Sequence, residues 1–182
     1  MAFLDLSPAI AHLDANRSDG RPAVVQVLGD KGFGKTTHLL SLSAHYENSA
    51  YLYIAEGERG RIPAIGEPLL IDEAQRLTMV QRIWLFRSQR TLVLGTHRDF
   101  TAQLERAGRK VLSLAAERHT TPERICMILN TRIQAVRRND GPTPSVSMGT
   151  VMRLYKQFGP DLRSIQHSLY EVFQKLGSVQ DV

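Results

Sequence analysis

Apolar residues over the first 115 positions gather in short continuous runs: AVVQV (23–27), YLYIA (51–55), PLLID (68–72), TLVLG (91–95) and KVLSL (110–114). Runs of this length bounded by polar turns read as strands, and continuous rather than alternating apolar character marks strands covered on both faces of a parallel sheet. Between them, residues 35–46, about 76–89, and the stretch from Asp99 (as N-cap) to Gly108 (as stop) carry helical patterns. Strands alternating with helices predict an α/β class with a five-stranded parallel sheet. The exception is GERGRIPAIGE between the second and third runs, where two glycines before a proline leave that crossover without a full helix.

After Leu114 the pattern becomes helical. Thr120 and Glu123 have capping-box spacing with Pro122 in the first turn, and Ile125, Ile128, Leu129, Ile133 and Val136 repeat at helical spacing to about Arg138. NDGPTPS breaks the pattern. Two further helices are expected at about 147–158 and 160–176, joined at Gly159–Pro160 and stopped at Gly177. Val151, Leu154 and Phe158, then Leu162, Ile165, Leu169, Val172, Phe173 and Leu176, form stripes that read as the core of a small helical bundle. The organisation expected is an N-terminal segment 1–19, an α/β core 20–116 and a helical region 117–182.

Composition narrows the class. With 182 residues, 42% apolar and 23% charged, the chain fits one domain with a small appendage and falls outside the disordered and fibrous classes. Its single cysteine, Cys126, excludes an internal disulfide and a Cys-rich zinc site. No run approaches the roughly 18 apolar residues of a spanning helix, and MAFLDLSPAI carries no leader pattern, so a cytoplasmic protein without membrane partners is expected. The net charge of +5 hides an asymmetry: residues 76–163 hold 16 basic and 6 acidic groups, while residues 1–75 hold 6 and 10. Eighteen of the 23 basic residues are arginine, whose planar fork suits phosphate. Nucleic acid or polyphosphate therefore enters as a partner class, beside the plainer reading of a solvated basic face.

The first strand runs into GDKGFGKTT, which matches the phosphate-loop pattern: Gly29, then Asp30, Lys31, Gly32 and Phe33, then Gly34, Lys35, Thr36 and Thr37. Glycines let the backbone fold its N–H groups around a polyphosphate. Lys35 neutralises terminal phosphates, and Thr36 offers a hydroxyl to Mg²⁺. The third strand ends LLIDEAQRL, placing Asp72 and Glu73 at the carboxyl edge where open α/β sheets bind ligands; Asp72 suits the metal and Glu73 an attacking water. The fourth ends LGTHRDF, bringing Thr96, and as a weaker candidate His97, to the same edge as a water-orienting or γ-phosphate contact. The other histidines show no paired metal spacing.

This order of motifs, followed by a helical tail, resembles the AAA+ ATPases, and the DEAQ wording looks most like the origin-recognition and transposition-helper members. The resemblance spans about residues 20–176. It implies a phosphate-loop nucleotide-binding core with a small C-terminal helical lid, ATP and Mg²⁺ as cofactors, and hydrolysis of the β–γ bond. GPDLRSIQHSLYEVF resembles the family's second-sensor segment and gives Arg163 a clamp on the nucleotide. The family also sends an arginine finger to a neighbouring subunit from just before the fifth strand, where Arg106 and Arg109 stand and Arg109 is preferred. The shortened crossover and a lid of three helices depart from the pattern and bear on nucleotide-dependent homo-oligomer assembly. The function expected is a minimal ATPase acting on DNA or a DNA-bound protein through the 76–163 region. The alternative is a nucleotide-gated adaptor or binding module that hydrolyses little or nothing and works by its ATP-dependent shape; a protein partner is a further partner class.

Overall fold

The computed structural model describes residues 5–18, 22–116, 120–137, 143–175 and 181. The chain divides into two compact units, residues 1–30 with 34–117, and residues 31–33 with 118–182. Arg138, Leu176, Gly177, His119 and the expected boundary at residue 117 lie outside the described residues. Among those described, no helix is long and apolar enough to cross a membrane.

The first unit is α/β, with a five-stranded, all-parallel sheet. Strands β1 (Ala23–Leu28), β2 (Ala50–Tyr53), β3 (Leu69–Asp72), β4 (Leu92–Thr96) and β5 (Lys110–Ala115) lie in the order β2-β3-β4-β1-β5. All five apolar runs thus become strands, and no helix or strand interrupts the stretch from β2 to β3. β1, β3 and β4 are buried on both faces, as continuous apolar runs require. β2 and β5 depart from that expectation. They are the sheet's edges, and their residues are only partly covered.

On one face Val24, Leu69, Ile71, Leu92 and Leu94 pack with Leu85, Phe86, Phe100 and Leu104 into the main core. These come from α3 (Met79–Arg87), α4 (Thr101–Arg106) and the residue before α4. Helices α1 (Ser7–Ser18) and α2 (Lys35–His45) also pack on the strands, α1 against β1 and β5, and α2 against β1 to β4. The register pairs Leu28 with Thr96, Asp72 with Gly95 and Tyr53 with Asp72, so the carboxyl ends of four strands finish in line.

Helix α1 has no counterpart in the hydrophobic pattern. Among its described side chains Ala9, Leu13 and the polar Asn16 are the buried ones, too sparse an apolar stripe to announce a helix. Asp99 does not cap α4. Its carboxylate accepts from the Thr101 N–H (2.8 Å) and hydroxyl (2.6 Å) one step earlier, and Phe100 holds the cap position.

The second unit carries α5 (Pro122–Ala135), α6 (Met148–Phe158) and α7 (Leu162–Lys175). The cap of α5 is Thr121 rather than Thr120, because with Pro122 as first helical residue the hydroxyl that reaches the Arg124 N–H is one position later. Ile125, Ile128, Leu129, Val151, Leu154, Leu162, Ile165 and Leu169 are buried as the stripes require. Val136 and Val172 are exposed, Val136 because it lies past the end of its helix.

Candidate functional site

The sharp turn after β1 is set by Gly29, whose N–H donates to the Thr96 carbonyl (3.3 Å), tying the start of the loop to the tip of β4. Gly34 closes the loop at φ 77°, ψ 16°, a left-handed conformation that favours glycine, and α2 begins there without a side-chain cap. A helix start capped by glycine directs backbone N–H groups at whatever anion sits before it. Lys35 is buried, and its ammonium donates to the Asp30 carbonyl (2.9 Å). Thr37 follows in the first turn. Lys31, Gly32 and Phe33 group with the second unit. There Gly32, at φ 96°, lies so close to Asp161 that a Cβ would fall 2.0 Å from its Oδ1.

Asp72 closes β3 and is fully buried, with three donors around it. The Thr36 hydroxyl donates to Oδ2 at 2.5 Å, the Tyr51 phenol donates to the same oxygen at 3.1 Å, and the Glu73 N–H donates to Oδ1 at 3.0 Å. A hydroxyl and a carboxylate converging on one point is a hard-oxygen pair of the kind Mg²⁺ selects, so these residues fit that ion. Burial first, then the charge of Asp72 and the hydrogen bond to it, push the Tyr51 phenol above the ordinary tyrosine range. Gly95 on β4 makes room for this carboxylate: a Cβ there would lie 2.7 Å from Asp72 Oδ1 and 3.2 Å from Leu39.

Glu73 adopts φ 60°, ψ 41°, the sole non-glycine residue at positive φ among those described. Left-handed backbone aims its side chain away from the strand direction, and three neighbours meet the carboxylate there. Gln75 donates to Oε2 at 2.7 Å, while Arg76 and His97 Nε2 each approach it to 3.4 Å. The Gln75 side-chain Oε1 in turn accepts from the His97 backbone N–H (3.4 Å), and His97 Nδ1 lies 3.8 Å from Asp30. The imidazole thus stands between Asp30 and Glu73.

Three expectations change. Thr96 is fully buried, and its hydroxyl donates to the Arg98 carbonyl and accepts from the Arg98 N–H, both at 3.0 Å, so it closes a turn. His97 is the β4-tip side chain that reaches the site. Arg109 is buried with its guanidinium donating to the carbonyls of Ser88 and Arg90, so it is held inside its own subunit, and exposed Arg106 is the arginine left facing outward before β5. Arg163 stands exposed in the first turn of α7 in the second unit, where its N–H donates to Asp161 Oδ1 (3.0 Å). Third, the basic stretch is partly inward: Arg76 donates to the Ile54 carbonyl (2.7 Å), and Arg90 to those of Pro63 and Gly66 (2.6 Å each). Tyr51, Gln75 and Gly95 were not singled out from the sequence. The one available signal was Gly95, a glycine inside a strand, which often marks a close approach.

Comparison with known protein families and with curated proteins returns no match for this chain.

Proposed function

We propose that this chain is an ATPase of AAA+ type that binds MgATP at the β1–α2 loop and hydrolyses its β–γ bond to act on a partner, DNA or a DNA-bound protein. The observation that carries the reading is the convergence, at one sheet edge, of a glycine-capped helix start with Lys35, the 2.5 Å Thr36–Asp72 pair, and Glu73 directly after it. Lys35 and the N–H groups at the start of α2 would take the phosphates. Thr36 and Asp72 would hold Mg²⁺, which when bound neutralises charge on the β- and γ-phosphates. Tyr51 and Gly95 fix the Asp72 carboxylate, one by a hydrogen bond and the other by leaving space.

Glu73 then orients a water and takes its proton as the water oxygen bonds the γ-phosphorus and the bond to the ADP oxygen breaks. Gln75 steers the carboxylate, and His97, between Glu73 and Asp30, takes the γ-phosphate or water contact expected of Thr96. An arginine finger, if a neighbour supplies one, is Arg106. The adaptor reading draws on the same geometry: Glu73 is already engaged by Gln75, Arg76 and His97, an arrangement that holds back a base.

Two variants decide between these readings. Lys35→Ala is expected to weaken MgATP at least about tenfold, since a charge-assisted hydrogen bond contributes roughly 1.5–3 kcal/mol. Glu73→Gln is expected to bind ATP like the parent and lose about 10²-fold in turnover. Unchanged affinity in folded Lys35→Ala would overturn the nucleotide site. Parent turnover too slow to be lowered by Glu73→Gln, with nucleotide tightly held, selects the adaptor.

A further inference from the structure

Helix α3 buries Leu85 and Phe86 and turns a second apolar face to solvent. Met79 is 68% exposed, Val80 78%, Ile83 43% and Trp84 58%. At spacings of one, four and five residues these side chains form one stripe. Scattered exposed apolar residues are normal at a protein surface, whereas four large ones in a row mark a contact site. Arg87 continues the stripe, and a groove beside Ile83 and Phe86 is lined by Arg82, Arg87 and Arg106. The Arg82 guanidinium lies over the Phe100 ring, 5.3 Å from its centre, so its position is fixed. Among the described residues no carboxylate pairs with Arg82, Arg87 or Arg106, although Glu105 stands exposed next to Arg106.

We infer that α3 and the α3–α4 groove dock an acidic amphipathic segment of a partner protein, its apolar side on Val80, Ile83 and Trp84 and its carboxylates on Arg82, Arg87 and Arg106. Charge complementarity selects this occupant: three cations with no carboxylate partner among the described residues flank an apolar stripe, and Trp, Met and Arg are the residues enriched at protein interfaces. A single-stranded nucleic acid is disfavoured by the same surface. The arginines could meet phosphates, but bases need aromatic faces to stack on, and the stripe offers one tryptophan among aliphatic side chains. The inference shares only Arg106 with the nucleotide reading, which gives that arginine to a neighbour's nucleotide, and its other residues belong to α3 (Met79–Arg87), outside the β1–α2 loop.

Trp84 is the chain's single tryptophan and lies within the stripe, so it reports on occupancy. The full chain is titrated with a synthetic helical peptide bearing a leucine stripe flanked by glutamates, with a lysine-flanked isomer, and with a single-stranded oligonucleotide. The glutamate peptide is expected to shift Trp84 emission to the blue and reduce acrylamide quenching at least twofold. Ile83→Ser weakens it about tenfold through lost apolar contact. Arg87→Glu with Arg106→Glu inverts the preference, weakening the glutamate peptide and strengthening the lysine peptide by about tenfold each. Arg106→Glu alone, on the neighbouring helix, serves if the double variant does not fold. The inference is overturned by an unmoved Trp84 signal with the glutamate peptide, by equal binding of the two peptides, by protection from the oligonucleotide instead, or by protection that rises with protein concentration alone, which would make the occupant a second copy.

Discussion

Glu73 holds a backbone conformation that costs an ordinary residue roughly 1–2 kcal/mol, and the return is direction: the carboxylate leaves β3 toward Gln75 and His97. No pattern of apolar and polar letters reports such a torsion. LLIDEAQ therefore revealed that a carboxylate sits at the edge, while its aim, and the service of Gln75, appear only in three dimensions. Tyr51 was hidden for a similar reason: it reads as one more strand residue until β2 and β3 are paired. Its environment makes a testable outcome. Because burial and Asp72 raise the phenol above about 10, the folded chain keeps a proton in alkali that the unfolded chain releases, so stability falls as pH rises beyond that value. Absorbance titration of the five tyrosines is expected to show one that ionises later than a free phenol, and Tyr51→Phe to remove both that lag and the alkaline slope in urea unfolding. A Tyr51→Phe variant with an unaltered slope would detach the phenol from Asp72.

At the scale of elements, strand and helix positions were legible because continuous apolar runs and 3.6-residue stripes report burial directly. Edges were not, since YLYIA and KVLSL are as apolar as the central strands and only pairing order exposes them. The segment before β5 shows the limit most clearly. An arginine in that stretch looks like a surface cation in sequence, yet Arg109 bonds the carbonyls that lead into β4. Its guanidinium remains charged at neutral pH although burial pushes it down to about 10. Arg109→Met is expected to cost roughly 2–3 kcal/mol in urea unfolding, because two partly buried carbonyls lose their donor. Mixing it with Glu73→Gln protein should restore no activity beyond the sum of the parts. Rescue in such a mixture would return Arg109 to the role of a finger.

For the whole molecule, the charge count overstates what a nucleic acid can reach. Arg76, Arg90 and Arg109 are engaged inside the first unit, whereas Arg87, Arg98, Arg106 and Lys110 are exposed there. If duplex DNA is the partner, affinity falls with salt by about 0.9 in log–log slope for each phosphate contacted. Arg98→Ala is then expected to lower that slope by about one contact, while Arg90→Ala leaves it unchanged and lowers stability. Anisotropy titrations at several salt concentrations, with and without a non-hydrolysed ATP analogue, measure both; no binding at low salt would leave these cations as solvated charge. The arginine and Glu67 bonds have a further consequence through where they fall. Arg90, Arg109 and Glu67, whose carboxylate accepts from the Thr91 N–H (3.0 Å) and hydroxyl (2.7 Å), knit together the loops entering β3, β4 and β5, at the amino edge, whereas Asp72 and Glu73 and the start of α2 lie at the carboxyl edge. The sheet thus separates two kinds of inherited damage. A lesion at one rim leaves a normal number of molecules that turn over poorly, and a lesion at the other leaves competent molecules in short supply, because unfolded chains are removed by the cell's proteases.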